Sequence, residues 1–243
     1  MEYIIKATLT GLLFGTFGTT IGGIIGVNIK NTSKSLSFIL EFAAGLMMGI
    51  ICFELIPEAL QISEIGNLFI GLLTGVSVMI ICESLVNKKL KSKKIKSQNS
   101  LLTTGIIIGI GLAIHNFPEG LAIGSGFGAS TKLGITLAVA ILLHDIPEGV
   151  AIATPIHASG MQKSKALYIT VLSGLTTGLG ALFGAILGTV SIDLIAICLS
   201  FAAGAMLYII SGEIIPEAKK MYKGRIPVIG NILGFITGII ITM

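Results

Sequence analysis

Apolar residues run along this chain in eight long blocks separated by short polar joins. The blocks cover roughly 3–27, 36–57, 66–86, 101–124, 133–156, 166–190, 192–215 and 226–243. Each is close to the ~20 residues an α-helix needs to cross a bilayer. Eight such helices use most of the 243 residues and leave almost nothing for a soluble domain. The pattern therefore predicts an all-α, polytopic membrane protein whose surroundings are the lipid bilayer. The join near Ser191 is so short that spans six and seven must form a tight hairpin. The first block lacks a small-residue cleavage site after a short apolar core, so it reads as a retained helix rather than a signal peptide. It also carries Gly11, Gly15, Gly18, Gly22, Gly23 and Gly26, a spacing that lets helix backbones approach closely in lipid.

Composition sharpens this picture. Hydrophobic residues make up 53% of the chain and charged ones only 12%, about half the charged share of a soluble domain. A disordered chain is excluded, and three cysteines are too few for a disulfide scaffold. Cys52, Cys82 and Cys198 all fall inside spans and read as small packing residues. The pI near 9.0 raises nucleic acid as a partner, but the positions of the basic residues decide otherwise. Of 16 Lys and Arg, all but Lys6 and Lys132 fall in the joins between spans one and two, three and four, five and six, and seven and eight. By the positive-inside rule those joins are cytoplasmic and both termini lie outside the cell membrane. The run Lys88 to Lys96 is then an orientation determinant beside anionic lipid.

The chain also repeats itself. The stretch from Phe42 to Ala59 recurs from Phe201 to Ala218, with 12 of 18 positions identical. The copies fall in spans two and seven, and an offset of five spans reverses direction in the membrane. Spans one to three and six to eight thus read as an inverted repeat, as in many secondary transporters. The predicted layout is a first three-helix repeat over 1–86, a basic cytoplasmic loop over 87–100, a central pair over 101–156 and a second repeat over 165–243, together one transporter domain.

The central pair carries the chemistry. His115-Asn-Phe-Pro-Glu-Gly in span four matches His144-Asp-Ile-Pro-Glu-Gly in span five. An ionisable residue deep in a membrane helix costs about 2.5–3.5 kcal/mol on insertion scales, and His115, Glu119, His144, Asp145 and Glu148 cannot all face lipid. His115 and Glu119 are four residues apart and share a helix face, as do His144 and Glu148. Asn116 and Asp145 stand three residues before their Glu and reach the adjoining face. Two antiparallel helices can aim all six groups at one point. Imidazole suits Zn²⁺ and Fe²⁺, and the carboxylates and amide keep the site open to harder ions. Such a set releases its ion more readily than a thiolate site, as transport requires. Pro118 and Pro147 leave carbonyls without a helical donor beside these ligands, available to water or a passing cation. By the same chemistry Glu54 and Glu58, near the outer end of span two, suit the entrance of a cation path. Glu213 and Glu217, near the cytoplasmic end of span seven, suit its exit, with Glu83 and His157 as further exit candidates. The competing class is an intramembrane metalloenzyme. Di-iron centres use E-x-x-H and zinc proteases H-E-x-x-H, whereas this chain has H-x-x-x-E.

At these residues the chain resembles the ZIP (Zrt/Irt-like) family of divalent-metal transporters, in its bacterial branch. HNFPEG, HDIPEG and the two AAGxM…IPEA segments carry the resemblance, which extends over all eight spans. It implies a non-enzymatic 3 + 2 + 3 bundle, often a homodimer, that moves metal into the cytoplasm: Zn²⁺ first, with Fe²⁺, Mn²⁺, Co²⁺ or Cd²⁺ as further substrates. The implied transport site is His115, Asn116, Glu119, His144, Asp145 and Glu148, with Met47 touching the first metal. The chain departs from the family pattern at three places. Thr177 stands where relatives with two metals carry a bridging Glu, Gly212 stands where many carry a His before Glu213, and the basic loop lacks a His-rich tract.

Overall fold

The computed structural model describes residues 2–28, 32–92 and 100–243, the side chains of 86–92, 100–108, 111 and 115 apart. Eight helices account for nearly all of it. They are α1 (Glu2–Asn28), α2 (Ser33–Ile62), α3 (Ile65–Ser92), α4 (Ser100–Ala129), α5 (Thr131–Ala158), α6 (Lys163–Leu187), α7 (Ile192–Met221) and α8 (Ile226–Thr242). Among the described residues there is no strand. Most helices overrun the apolar blocks by a few residues at one or both ends, because polar ends continue the helix beyond the bilayer. The joins are short and capped by hydroxyls. Ser130 accepts from the backbone N–H of Leu133 at 3.1 Å, and Ser191 accepts from that of Leu194 at 3.1 Å. These caps satisfy helix-end donors that would otherwise be orphaned. Lys30, Lys93, Lys94 and Lys96 of the predicted cytoplasmic joins lie outside the described residues.

α2 and α7 each contain one widened, π-helical turn, at Ile51–Leu55 and Ile210–Ile214. In each the closing bond reaches back five residues, from Ile56 to the carbonyl of Ile51 and from Ile215 to that of Ile210. A proline follows directly in each. Pro57 and Pro216 cannot donate, and in a regular helix their rings would meet the carbonyls of Phe53 and Gly212. An extra residue in the turn moves those carbonyls aside.

Besides the antiparallel contact of α1 with α6, the packing is built from four pairs of parallel helices: α1 with α5, α4 with α6, α2 with α8, and α3 with α7. Exchanging α1 with α6, α2 with α7, α3 with α8 and α4 with α5 turns each pairing into another. The α1–α5 and α4–α6 contacts are made through glycine. A Cβ on Gly149 would lie 2.2 Å from the Thr19 carbonyl oxygen, and one on Gly120 1.9 Å from that of Thr177. These are the glycines of the two Pro-Glu-Gly motifs, and only their missing side chains allow such close approach. α4 and α5 then cross antiparallel at the centre, and α3 and α8 lie at the periphery with exposed apolar faces such as Phe69, Leu73, Ile232 and Ile236.

Candidate metal site

The glycine contacts seat α4 and α5 so that their polar faces meet inside the bundle. Asn116, Glu119, His144, Asp145 and Glu148 are all buried, each at most 1% exposed. One ligand atom from each of Glu119, His144 and Glu148 lies within 4.8 Å of the others. His144 is oriented by its own helix. Its Nδ1 sits 3.2 Å from the carbonyl oxygen of Ala140, one turn back. A carbonyl only accepts, so Nδ1 carries the hydrogen and Nε2 faces the cluster, the tautomer a metal ligand needs. Nε2 lies 2.9 Å from Glu119 Oε1 and 3.5 Å from Asp145 Oδ1. Asn116 donates from Nδ2 to the Ser173 carbonyl at 3.0 Å, which ties the site to α6.

The acceptors in this cluster outnumber the donors. Asn116 Oδ1, Glu119 Oε2, both Asp145 oxygens and both Glu148 oxygens are buried without a hydrogen-bond partner among the described residues. A buried acceptor left unmade costs about 1–3 kcal/mol, and more when charged. No Lys or Arg side chain is buried among the described residues. Three buried carboxylates beside an imidazole, with unpartnered oxygens among the described residues, make a donor set whose chemistry suits a cation.

The model of the ZIP zinc transporter family matches residues 82–243 of the chain. Among individual relatives, the zinc transporter ZupT of Clostridium perfringens is 30% identical over 271 aligned positions, covering 97% of this chain and 94% of that protein. The ZupT protein of Campylobacter jejuni is 35% identical and covers 91% of this chain and 90% of its own length. The zinc transporter GufA of Myxococcus xanthus is 39% identical over 141 residues, 58% of this chain and 56% of that protein. The chain belongs to the ZIP family. As a ZIP protein it is a multi-pass membrane transporter of divalent metal and not an enzyme, so its buried cluster has no substrate to turn over.

The remaining predicted site residues fall in several places. His115 lies on α4 one turn before Glu119, and its side chain is outside the described residues. Met47 is fully buried in the core of α2. Glu54 and Glu58 line a cavity of about 310 Å³ at the end of the bundle that holds the C-terminus of α2, the N-terminus of α5 and the C-terminus of α8. Glu54 sits in the π turn of α2 and Glu213 in that of α7. Glu83 accepts a hydrogen bond from the Tyr208 hydroxyl, which joins α3 to α7 near Glu213. Glu217 pairs with Lys220 at 3.1 Å on an exposed turn. His157 Nδ1 faces the Met161 carbonyl at 3.0 Å and closes the end of α5. Thr177 is buried with its hydroxyl unpartnered among the described residues, packed into the notch left by Gly15.

Sequence reasoning missed one buried acid. Glu41 is 3% exposed on α2, and Asn231 of α8 donates to its Oε2 at 2.9 Å and to its backbone carbonyl at 3.3 Å. The signal was available. Each is a lone polar side chain in an otherwise apolar run, and lone polar residues in membrane helices bond across interfaces.

Proposed function

We propose that the chain imports divalent transition metal into the cytoplasm, with Zn²⁺ as the principal substrate, through the site between α4 and α5. The observation that carries this is the set of buried, donor-less oxygens on Asn116, Glu119, Asp145 and Glu148 around His144 Nε2. The relatives named zinc transporters support Zn²⁺, and so does a site of imidazole and carboxylates without thiolate. The family resemblance adds His115 and Met47 to the first metal position.

The charge distribution orients the protein with both termini outside the cell membrane. The Glu54 and Glu58 cavity is then the entrance, and Glu213, Glu83, Glu217 and His157 lie toward the exit. The two π turns, at matching positions in α2 and α7, and the exchange symmetry of the helix pairings support the inverted repeat. An inverted repeat gives a transporter two related arrangements that open to opposite sides. The protein works as a homodimer, as the family resemblance implies.

Thr177 sets the stoichiometry. Two divalent ions a few ångströms apart repel strongly in a medium of low dielectric constant, and bridging carboxylates offset that repulsion. Thr177 is neutral, so one ion is held tightly per protomer and a second only weakly. The test is uptake by purified protein in liposomes enclosing a metal-sensitive dye, with Fe²⁺, Mn²⁺, Co²⁺ and Cd²⁺ as competitors. Saturable Zn²⁺ uptake is expected. Protein that inserts and folds but takes up no divalent ion would overturn the reading.

A further inference from the structure

The cavity at the outer end of the bundle holds a charge that two physical rules disfavour. Lys132 lines it together with Glu54, Glu58, Gln61 and Thr136. Lys132 is one of only two basic residues on the side that the positive-inside rule leaves poor in cations. It is also the second residue of α5, in the first turn of a helix, where the macrodipole repels positive charge. What lies opposite accounts for it. Glu54 and Glu58, four residues apart on α2, line the same cavity. Among the described residues Lys132 forms no ion pair with either carboxylate. Lys132 is exposed on a flexible stem and shares the cavity lining with the two carboxylates without being locked onto them.

We propose that Lys132 is a tethered competitor for the entrance carboxylates, one that keeps monovalent cations off Glu54 and Glu58 and yields to a divalent ion. The proposal rests on the entrance reading above. A tethered ammonium has a high effective concentration at the carboxylates. A potassium or sodium ion carries the same charge and gains nothing by replacing it. A dication carries twice the charge, interacts with both carboxylates and pushes the ammonium aside toward water. The residue thereby sets the selectivity of the vestibule and the concentration at which metal enters, while the central cluster sets the maximal rate.

The test is Zn²⁺ uptake kinetics in proteoliposomes at low and high potassium chloride. Lys132→Gln is expected to lower KM by about two- to five-fold at low salt, the range of an exposed charge interaction. The maximal rate per folded protomer should hold, and potassium should become a much stronger competitor. Lys132→Arg should behave as the parent protein does. Glu54→Gln combined with Glu58→Gln should raise KM, and adding Lys132→Gln to that pair should change nothing further. A KM insensitive to Lys132→Gln overturns the proposal, as does an equal fall with and without the two carboxylates. A KM insensitive to the carboxylate pair itself overturns the entrance reading instead.

Discussion

Gly120→Ala adds a single methyl group at the contact that seats the metal site. Its Cβ would lie 1.9 Å from the Thr177 carbonyl oxygen and 2.8 Å from the Ala181 nitrogen. Ordinary contact begins at 3.4 Å, so α4 and α6 must part by about 1.5 Å, and both obstacles are backbone that cannot rotate away. Overpacking of this kind costs about 1–3 kcal/mol. The functional cost is larger. Glu119 is the adjacent residue, and its carboxylate stands 2.9 Å from His144 Nε2. Misplacing a reacting group by about 1 Å costs on the order of a hundredfold in enzyme sites, and metal coordination is no more tolerant. Gly109→Ala on the same helix is the control, because among the described residues its Cβ meets only the Ile152 and Ile169 methyl carbons at 3.6 Å. Zn²⁺ uptake and thermal unfolding in detergent are measured for both. Gly120→Ala should lower the unfolding temperature and reduce uptake at least tenfold, whereas Gly109→Ala should leave both near the parent values. Parent-like uptake by Gly120→Ala would refute the close α4–α6 contact and the geometry built on it.

Glu119→Ala or Glu148→Ala should abolish uptake while the protein still inserts and unfolds cooperatively, since each supplies charge to the site and none to the apolar packing; normal uptake by either folded variant would remove it from the ligand set. Protons compete with metal for imidazole and carboxylate lone pairs, so Zn²⁺ affinity should fall as pH drops from about 8 to about 5, and isothermal titration across that range checks it. Ser92→Cys should resist a membrane-impermeant thiol reagent in intact cells if the basic join is cytoplasmic, and ready labelling there would invert the orientation. Thr177→Glu should raise the metal content per protomer, read by elemental analysis, by strengthening the second position.

The eight helices were legible because bilayer thickness dictates the length of each apolar run, a constraint as plain in residues 66–86 as in 192–215. Their ends were not, because polar residues such as Lys219 and Lys220 continue a helix without any apolar signal. The π turns in α2 and α7 went unread for a related reason. Proline announces a disturbed helix, but whether the turn widens depends on neighbouring packing, and Pro118 and Pro147 sit in unbroken α-helix. In the candidate site the four-residue spacing of His144 and Glu148 placed both on one face, and the structure puts them with Glu119 in one buried cluster. The Glu41–Asn231 bond was hidden because it joins helices 190 residues apart, and a single sequence carries no register between α2 and α8. The fit of Thr177 against Gly15 was hidden likewise, since it depends on how α1 crosses α6.

The most direct test of where the metal sits is anomalous diffraction at the zinc edge from crystals grown with Zn²⁺. One dominant peak is expected between α4 and α5, within coordination distance of His144 Nε2 and the carboxylates of Glu119 and Glu148. A dominant peak away from that cluster would contradict it, and two equal peaks within it would contradict the single tightly held ion.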